Sequence, residues 1–232
     1  GEVSPGDKVG ELIPGGGYMT RILSKAVGAA GKVYVFSGQD GSVVATLSAT
    51  VVGDNFGFAL ANAGDVNNDG RHDIVIGAPK TDVNGIKDAG LAVVCDGAAL
   101  WQDGACGELF RISGSTKGSQ LGRSVNGAGD TNADGHDDVI IGMPKADPLG
   151  LNAKLAKDGG MAYVYSGIDG SERFRLDGEA AGDWFGQSVA GAGDLNGDGK
   201  ADVVVGAHKH NVLNNVTGKM LKDAGAVYRS EE

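Results

Sequence analysis

Short apolar runs separated by glycine-rich polar turns recur along the chain. The runs Ile74-Val75-Ile76 and Val203-Val204-Val205 are unbroken, which is typical of strands buried on both faces. Asp40-Gly41 and Asp169-Gly170 are strong signals for hairpin turns. The chain has 42 glycines in 232 residues and no G-X-Y period, so collagen is excluded and many tight turns are expected. The pattern predicts an all-β protein with many short strands.

The apolar runs belong to a repeat. Three near-identical acidic loops begin at Asp65, Asp130 and Asp194, so the spacings are 65 and 64 residues. Each copy has a strand before the loop, a second after it, and two more that pair through a turn. A four-stranded unit with two apolar faces must stack on similar units to bury both faces, as the blades of a β-propeller do.

The repeat divides the chain into one propeller segment, 1–232, of about three and a half four-stranded antiparallel blades. We expect a partial blade over 1–50, full blades over 54–113 and 118–177, and a partial blade over 182–232. Within the first of these, residues 6–16 resemble the loop and second strand of the repeat but lack its acidic ligand positions. Propellers usually have four to eight blades, so this stretch would not close a ring alone.

Each acidic loop reads Asp-x-Asn-x-Asp-Gly-x-x-Asp. Side-chain oxygens at positions 1, 3, 5 and 9, with the backbone carbonyl of position 7, would supply the hard ligands that calcium prefers, and magnesium is a poorer match. The loops therefore predict three Ca²⁺ sites; the alternative is that Asp, Asn and Gly serve only as turn residues. The candidate ligands are Asp65, Asn67, Asp69, Arg71 and Asp73; Asp130, Asn132, Asp134, His136 and Asp138; and Asp194, Asn196, Asp198, Lys200 and Asp202.

The loops are not EF-hands, because position 12 is Ile76, Ile141 or Val205 instead of a bidentate Glu. The formal charge of −10 would become −4 with three bound calcium ions, which add six positive charges. No basic face favours nucleic acid, no apolar run approaches a membrane span of about 18 residues, and no small-molecule substrate is evident.

The motifs around the loops resemble the FG-GAP repeat of the integrin α-subunit propeller and its bacterial relatives. The resemblance covers roughly residues 31 to 228. It implies a seven-bladed propeller, calcium in loops away from the usual ligand surface, and a role in adhesion or protein–protein contact. The matching first halves are Phe56-Gly57 and Phe185-Gly186, with Leu121-Gly122 a mild departure; the second halves are Gly77-Ala78-Pro79, Gly142-Met143-Pro144 and Gly206-Ala207-His208, of which the last two depart slightly.

Cys95 and Cys106, the only cysteines, flank an insertion where other copies have a short turn. We expect a disulfide across this hairpin, worth about 3 kcal/mol; two buried thiols are the alternative. A disulfide would indicate an oxidising compartment: extracellular, cell-surface or periplasmic.

An enzyme is not expected, because Ser124 and Ser188 recur as repeat positions whereas a catalytic triad needs one distinctive Ser. The leading hypothesis is a calcium-stabilised module for protein interaction or adhesion. The first alternative is a structural subunit whose ring is completed by an identical chain or another protein. The second is a non-catalytic propeller appended to a secreted hydrolase.

Overall fold

The computed structural model describes residues 8–11, 21–27, 30–149 and 154–229. Within these ranges the chain is built from seventeen β-strands and one α-helix. The strands of the first two sheets are β1 (Lys8–Glu11), β2 (Arg21–Val27), β3 (Ala30–Phe36), β4 (Val43–Ser48), β5 (Ala59–Gly64), β6 (Asp73–Ala78), β7 (Leu91–Asp96) and β8 (Gly107–Ser113), with α1 (Gly97–Asp103) between the last two. The remaining strands are β9 (Ser124–Gly129), β10 (Asp138–Met143), β11 (Met161–Tyr165), β12 (Glu172–Asp177), β13 (Ser188–Gly193), β14 (Asp202–Ala207), β15 (Val212–Asn214), β16 (Lys219–Leu221) and β17 (Ala226–Arg229).

The strands form four successive antiparallel sheets. The first three have the orders β1-β2-β3-β4, β5-β6-β7-β8 and β9-β10-β11-β12, and the fourth has the order β13-β14-β17. A separate hairpin, β15-β16, lies in the connection from β14 to β17. Four-stranded meanders repeated in this way are propeller blades, so the fold is the partial all-β propeller that the sequence predicts.

The first sheet differs from the prediction in one respect. β1 takes the edge position and pairs with β2, which lies where the second strand of the other sheets lies. The assignment of a second strand to 6–16 is therefore wrong, because Arg21–Val27 fills that position. The remainder of 6–16 lies outside the described residues.

Alternation along each buried strand explains why the apolar runs are unbroken. On β6, Ile74 and Ile76 pack with Val33 and Val35 of the first sheet. Val75, which points the opposite way, packs in a cluster that includes the third sheet. All six residues of β6 and of β10 are buried, because each of these strands is covered on both faces.

Two glycines in the second half of the repeat motif lie too close to the next repeat to be replaced by a residue with a side chain. A Cβ at Gly77 would overlap the carbonyl oxygen of Gly122 in the next repeat, and a Cβ at Gly142 would overlap that of Gly186. Any side chain at these positions would push consecutive sheets apart. The glycine pairs thus set the close spacing at which the apolar faces interlock.

The outer face of the fourth sheet lacks this cover. Leu195 is 54% exposed, whereas Val66 at the same repeat position is fully buried against the third sheet. Val227, which corresponds to the buried Ala162, is 79% exposed. Among the described residues, the fourth sheet has no further sheet stacked on this face, and β17 has no fourth strand beside it as β11 has β12.

Candidate functional site: three acidic loops at one end of the sheets

Each acidic loop joins the first and second strands of its sheet and follows the same sharp path. Position 6 is a glycine with positive φ in all three loops: 84° at Gly70, 89° at Gly135 and 87° at Gly199. Position 4 also has positive φ, and it is occupied by Asn68, Ala133 and Gly197. Two left-handed residues within three positions turn the chain tightly enough for side chains around them to converge.

Positions 1, 3 and 5 converge in every loop. In the first loop, the backbone N–H of Asp69 donates to Oδ1 of Asp65 at 2.9 Å and to Oδ1 of Asn67 at 3.0 Å. The backbone N–H of Asp134 makes the same two bonds at 3.1 and 3.2 Å, and that of Asp198 at 3.1 and 3.0 Å. Two ligand-type oxygens therefore lie around one nitrogen in each loop.

The other oxygen of position 1 is also held by the backbone. Oδ2 of Asp194 accepts from the N–H of Gly199 at 2.9 Å, and this bond is the largest cause of a lowered pKa at Asp194. Asp65 and Asp130 accept the matching bonds from Gly70 and Gly135, both at 2.8 Å. The same backbone donors thus hold the carboxylate at position 1 in every loop, and at Asp194 they favour the anionic form.

Position 9 lies beneath the loop rather than across its mouth. Asp73 is fully buried; its Oδ2 accepts from the N–H of Val66 at 2.9 Å, and its Oδ1 from the N–H of Gly97 at 2.9 Å. Desolvation raises the pKa of Asp73 to about 6, although the backbone bonds from Gly97 and Val66 oppose the rise. Asp73 therefore ties the loop to the neighbouring strands, whatever else it binds.

In the second loop, position 9 has a cationic partner. Oδ2 of the fully buried Asp138 accepts from Nη1 of Arg173 at 2.7 Å, and Arg173 also contacts the Thr131 hydroxyl. Arg173 occupies the bulge of β12, where the second sheet has Leu109 in β8. The buried charge of this loop is thus neutralised by the protein itself.

Position 7 presents its side chain to different surroundings in each loop. Its backbone N–H donates to Oδ1 of position 5 in all three loops, at 2.8 to 2.9 Å. Nδ1 of His136 lies 2.8 Å from the carbonyl oxygen of Val66 in the preceding loop, whereas the Arg71 side chain is exposed. This position is therefore both a loop member and, at His136, a contact between loops.

The donor set of the loops fits a hard divalent cation at positions 1, 3 and 5. These are carboxylate and amide oxygens on an accessible loop, the ligand type that calcium prefers. Within the ranges that the structure describes, no group of three or more His, Cys, Asp or Glu side chains is arranged to hold a metal. The reason is visible in the geometry: position 3 is Asn, and position 9 is turned inward.

The predicted disulfide is present and closes a short helix. Cys95 and Cys106 are bonded, with Cα atoms 5.0 Å apart. Between them, Oδ1 of Asp96 caps α1 by accepting from the N–H of Ala98 at 2.7 Å, and Gly104 ends it with φ 66°. Leu100 of α1 is buried against the first and second sheets. At seven residues, α1 has neither the length nor the apolar character to cross a membrane, and no other helix lies in the described ranges.

Two functional residues were not found from the sequence: Asp137 and Arg173. Signals existed for both. Position 8 varies as His72, Asp137 and Ala201, and Arg173 stands where the second sheet has Leu109. A polar residue that appears in only one copy of a repeat marks an interaction specific to that copy.

Ser124, considered above for catalysis, makes a contact between repeats. Its hydroxyl donates to the carbonyl oxygen of Gly186 at 2.7 Å. This bond spans the third and fourth sheets and engages the hydroxyl in packing.

Stacked antiparallel sheets with an acidic loop between their first two strands define a propeller-type repeat protein. The family model for the FG-GAP repeat matches residues 56–95 and 185–228. The chain is an integrin α-like FG-GAP repeat protein.

The relatives are integrin α chains. Integrin alpha pat-2 of Caenorhabditis briggsae is 34% identical over 180 residues, which cover 69% of this chain and 14% of the relative. Integrin alpha-4 of Xenopus laevis is 32% identical over 188 residues, 76% of this chain and 17% of the relative. Integrin alpha-2 of Bos taurus is 30% identical over 207 residues, 84% of this chain and 16% of the relative. The chain thus spans less than a fifth of these relatives.

Proposed function

We propose that the chain is a calcium-stabilised propeller segment, divided into blades as the repeat predicts, that mediates protein–protein interaction or adhesion outside the cytoplasm. The observation that carries the calcium proposal is the shared geometry of positions 1, 3 and 5 in all three loops. A single loop could bring these oxygens together by chance. The same bonds in three loops favour a ligand that all three loops bind. The disulfide supports an oxidising compartment.

The connections between second and third strands are our candidates for the partner-binding surface. They lie at the opposite end of the sheets from the acidic loops, because each second strand runs from one end to the other. Several of their large apolar side chains are exposed, including Leu149 at 63%, Leu155 at 69%, Leu213 at 52% and Met220 at 58%. Exposed apolar side chains on variable loops above a rigid scaffold support protein recognition rather than catalysis.

The test is thermal unfolding of the chain in calcium and in chelator, with native mass spectrometry to count bound ions. Three sites at tenfold excess over their dissociation constants would together stabilise by about 4 kcal/mol, a rise of about 10 °C in Tm for a chain of this size. We expect three calcium ions per chain.

The matched control replaces position 5 in all three loops, as Asp69→Ala, Asp134→Ala and Asp198→Ala. These side chains are exposed, so the triple variant should fold and show no calcium-dependent shift. A wild-type chain that binds no calcium and melts equally in chelator would overturn the calcium proposal.

A second candidate function is favoured by the open face of the fourth sheet. Leu195 and Val227 present apolar surface that the other sheets bury, which supports a structural subunit whose ring is completed by another copy or another protein. The same mass spectra test this: a dimer or larger assembly supports it, and a stable monomer contradicts completion by an identical chain.

A further inference from the structure

Consecutive acidic loops touch, and in the first pair side chains add to the backbone contact. The second loop reaches across to the first two residues of the first loop through His136 and Asp137. These two residues lie between Asp134 and Asp138, so they are part of the second loop's own turn.

Three hydrogen bonds make the contact. The backbone N–H of Asp65 donates to Oδ2 of Asp137 at 2.8 Å, and the backbone N–H of Asp137 donates to the carbonyl oxygen of Asp65 at 3.2 Å. The ring of His136 adds a bond to the carbonyl oxygen of Val66 at 2.8 Å. Both polar groups of the Asp65 backbone are therefore held by one residue from the next repeat.

Gly64 makes room for this carboxylate. It has φ 83°, and a Cβ built on it would overlap the Asp137 side chain. The approach of Asp137 thus depends on the absence of a side chain immediately before Asp65.

The next pair of loops supplies a natural comparison. Ala201 occupies the position of Asp137, and its backbone N–H donates to the carbonyl oxygen of Asp130 at 2.9 Å. Ala201 has no carboxylate, so the backbone N–H of Asp130 gains no matching bond from it. Ala201 therefore binds one polar group of the Asp130 backbone, whereas Asp137 binds both polar groups of the Asp65 backbone.

We propose that Asp137 is a positioning residue for calcium in the first loop, and that it couples the first and second loops. This inference rests on the proposed calcium sites. Asp137 fixes the backbone of Asp65, the first ligand, and so reduces the ordering that binding requires. A metal held by Asp134 in the second loop would restrain Asp137 in turn, so binding in either loop favours binding in the other.

The experiment is a calcium titration by calorimetry of the 232-residue chain carrying Asp198→Ala, which leaves the first and second loops. Asp137→Ala should weaken binding in the first loop about fivefold, as expected for one lost hydrogen bond. Asp137→Asn keeps an acceptor oxygen and should stay within about twofold of the parent. Equal weakening by Ala and Asn would show that charge, not positioning, matters, and would overturn the proposal.

Coupling has its own readout. Adding Asp134→Ala should weaken calcium binding in the first loop, and Asp69→Ala should weaken the second loop by the same factor, because coupling is reciprocal. In the chain with Asp198 restored, affinity in the third loop should not respond to Asp137→Ala. If Asp134→Ala left the calcium affinity of the first loop unchanged, the coupling would be overturned.

A calcium-free measurement separates this inference from the calcium proposal. The amide of Asp65 should exchange slowly with solvent in chelator, about fivefold faster in Asp137→Ala, and at the parent rate in Asp137→Asn. If no calcium binds, coupling fails together with the calcium proposal, while the exchange rates still decide whether Asp137 positions Asp65. If Asp137→Ala left the hydrogen-exchange rate of the Asp65 amide unchanged, the positioning role would be refuted even if calcium binds.

Discussion

The second sheet (β5–β8) and the third sheet (β9–β12) have nearly the same frame but stabilise their loops differently. Both have a bulge where the first strand meets the loop and another where the third strand meets the fourth. Beneath the loop, Asp73 of the second sheet is bound by backbone N–H groups alone, whereas Asp138 of the third also binds Arg173. Beyond the third strand, the second sheet has the disulfide-closed helix and the third a tight turn.

The comparison shows that the repeat fixes geometry more strictly than charge. Consecutive sheets pack against each other through close glycine contacts and apolar faces. A change of shape in one sheet would therefore disturb its packing against the next sheet. A buried carboxylate needs only local compensation, and each sheet provides it independently. Differences between copies are therefore concentrated around polar groups.

The largest expected effect comes from removing the charge beneath each loop in calcium-free buffer. Asp138→Asn and Asp73→Asn each disturb two backbone hydrogen bonds, which should lower the unfolding free energy by about 2 kcal/mol. Only Asp138→Asn also leaves Arg173 without its anionic partner, which should lower the unfolding free energy by about 2 kcal/mol more. We expect losses in unfolding free energy of about 4 and about 2 kcal/mol, measured by denaturant titration.

Arg173→Leu provides the control for that prediction. Combined with Asp138→Asn, it should recover most of the extra loss, since the unpaired cation is gone. Equal losses for the two Asn variants would mean that Arg173 contributes little and that the two loops are electrostatically alike.

The second prediction concerns the disulfide that distinguishes the second sheet. Removing it as Cys95→Ala with Cys106→Ala should lower the unfolding free energy by about 3 kcal/mol, because the link closes a loop of about a dozen residues. Native-state hydrogen exchange should show the loss mainly in β7, α1 and β8.

Reducing the wild-type disulfide should reproduce the effect of the Cys pair without new side chains. Fast exchange spread evenly over the second and third sheets would contradict a local role and indicate that the sheets unfold as one unit.

The frame could be predicted from sequence because its signals are local and repeated. Apolar runs, hairpin turns and the regular spacing gave the second and third sheets, and the two cysteines gave the disulfide. Asp40 and Asp169 indeed accept the turn bonds from Ser42 and Ser171. These features depend on residues a few positions apart.

The misses have physical causes. α1 was treated only as an insertion, although Asp96 before it and Gly104 after it are ordinary capping residues. The inward orientation of Asp73 follows from N–H donors that strand pairing brings to it. The Arg173 contact joins residues 35 positions apart, so it becomes visible only after the sheet has formed.

The smallest expected effect concerns position 4 of the loops, where Asn68, Ala133 and Gly197 all have positive φ. Left-handed backbone costs an alanine about 1 kcal/mol relative to glycine, so Ala133→Gly should raise stability by about 0.5 to 1 kcal/mol. Gly197→Ala should lower it by a similar amount, and Asn68→Gly should change it little, because Asn tolerates this conformation. Denaturant titration of the three variants in chelator would check the order. If Ala133→Gly destabilised the chain, the backbone of the second loop would not be strained at this position. The first and second loops would then differ only in the charged groups around them.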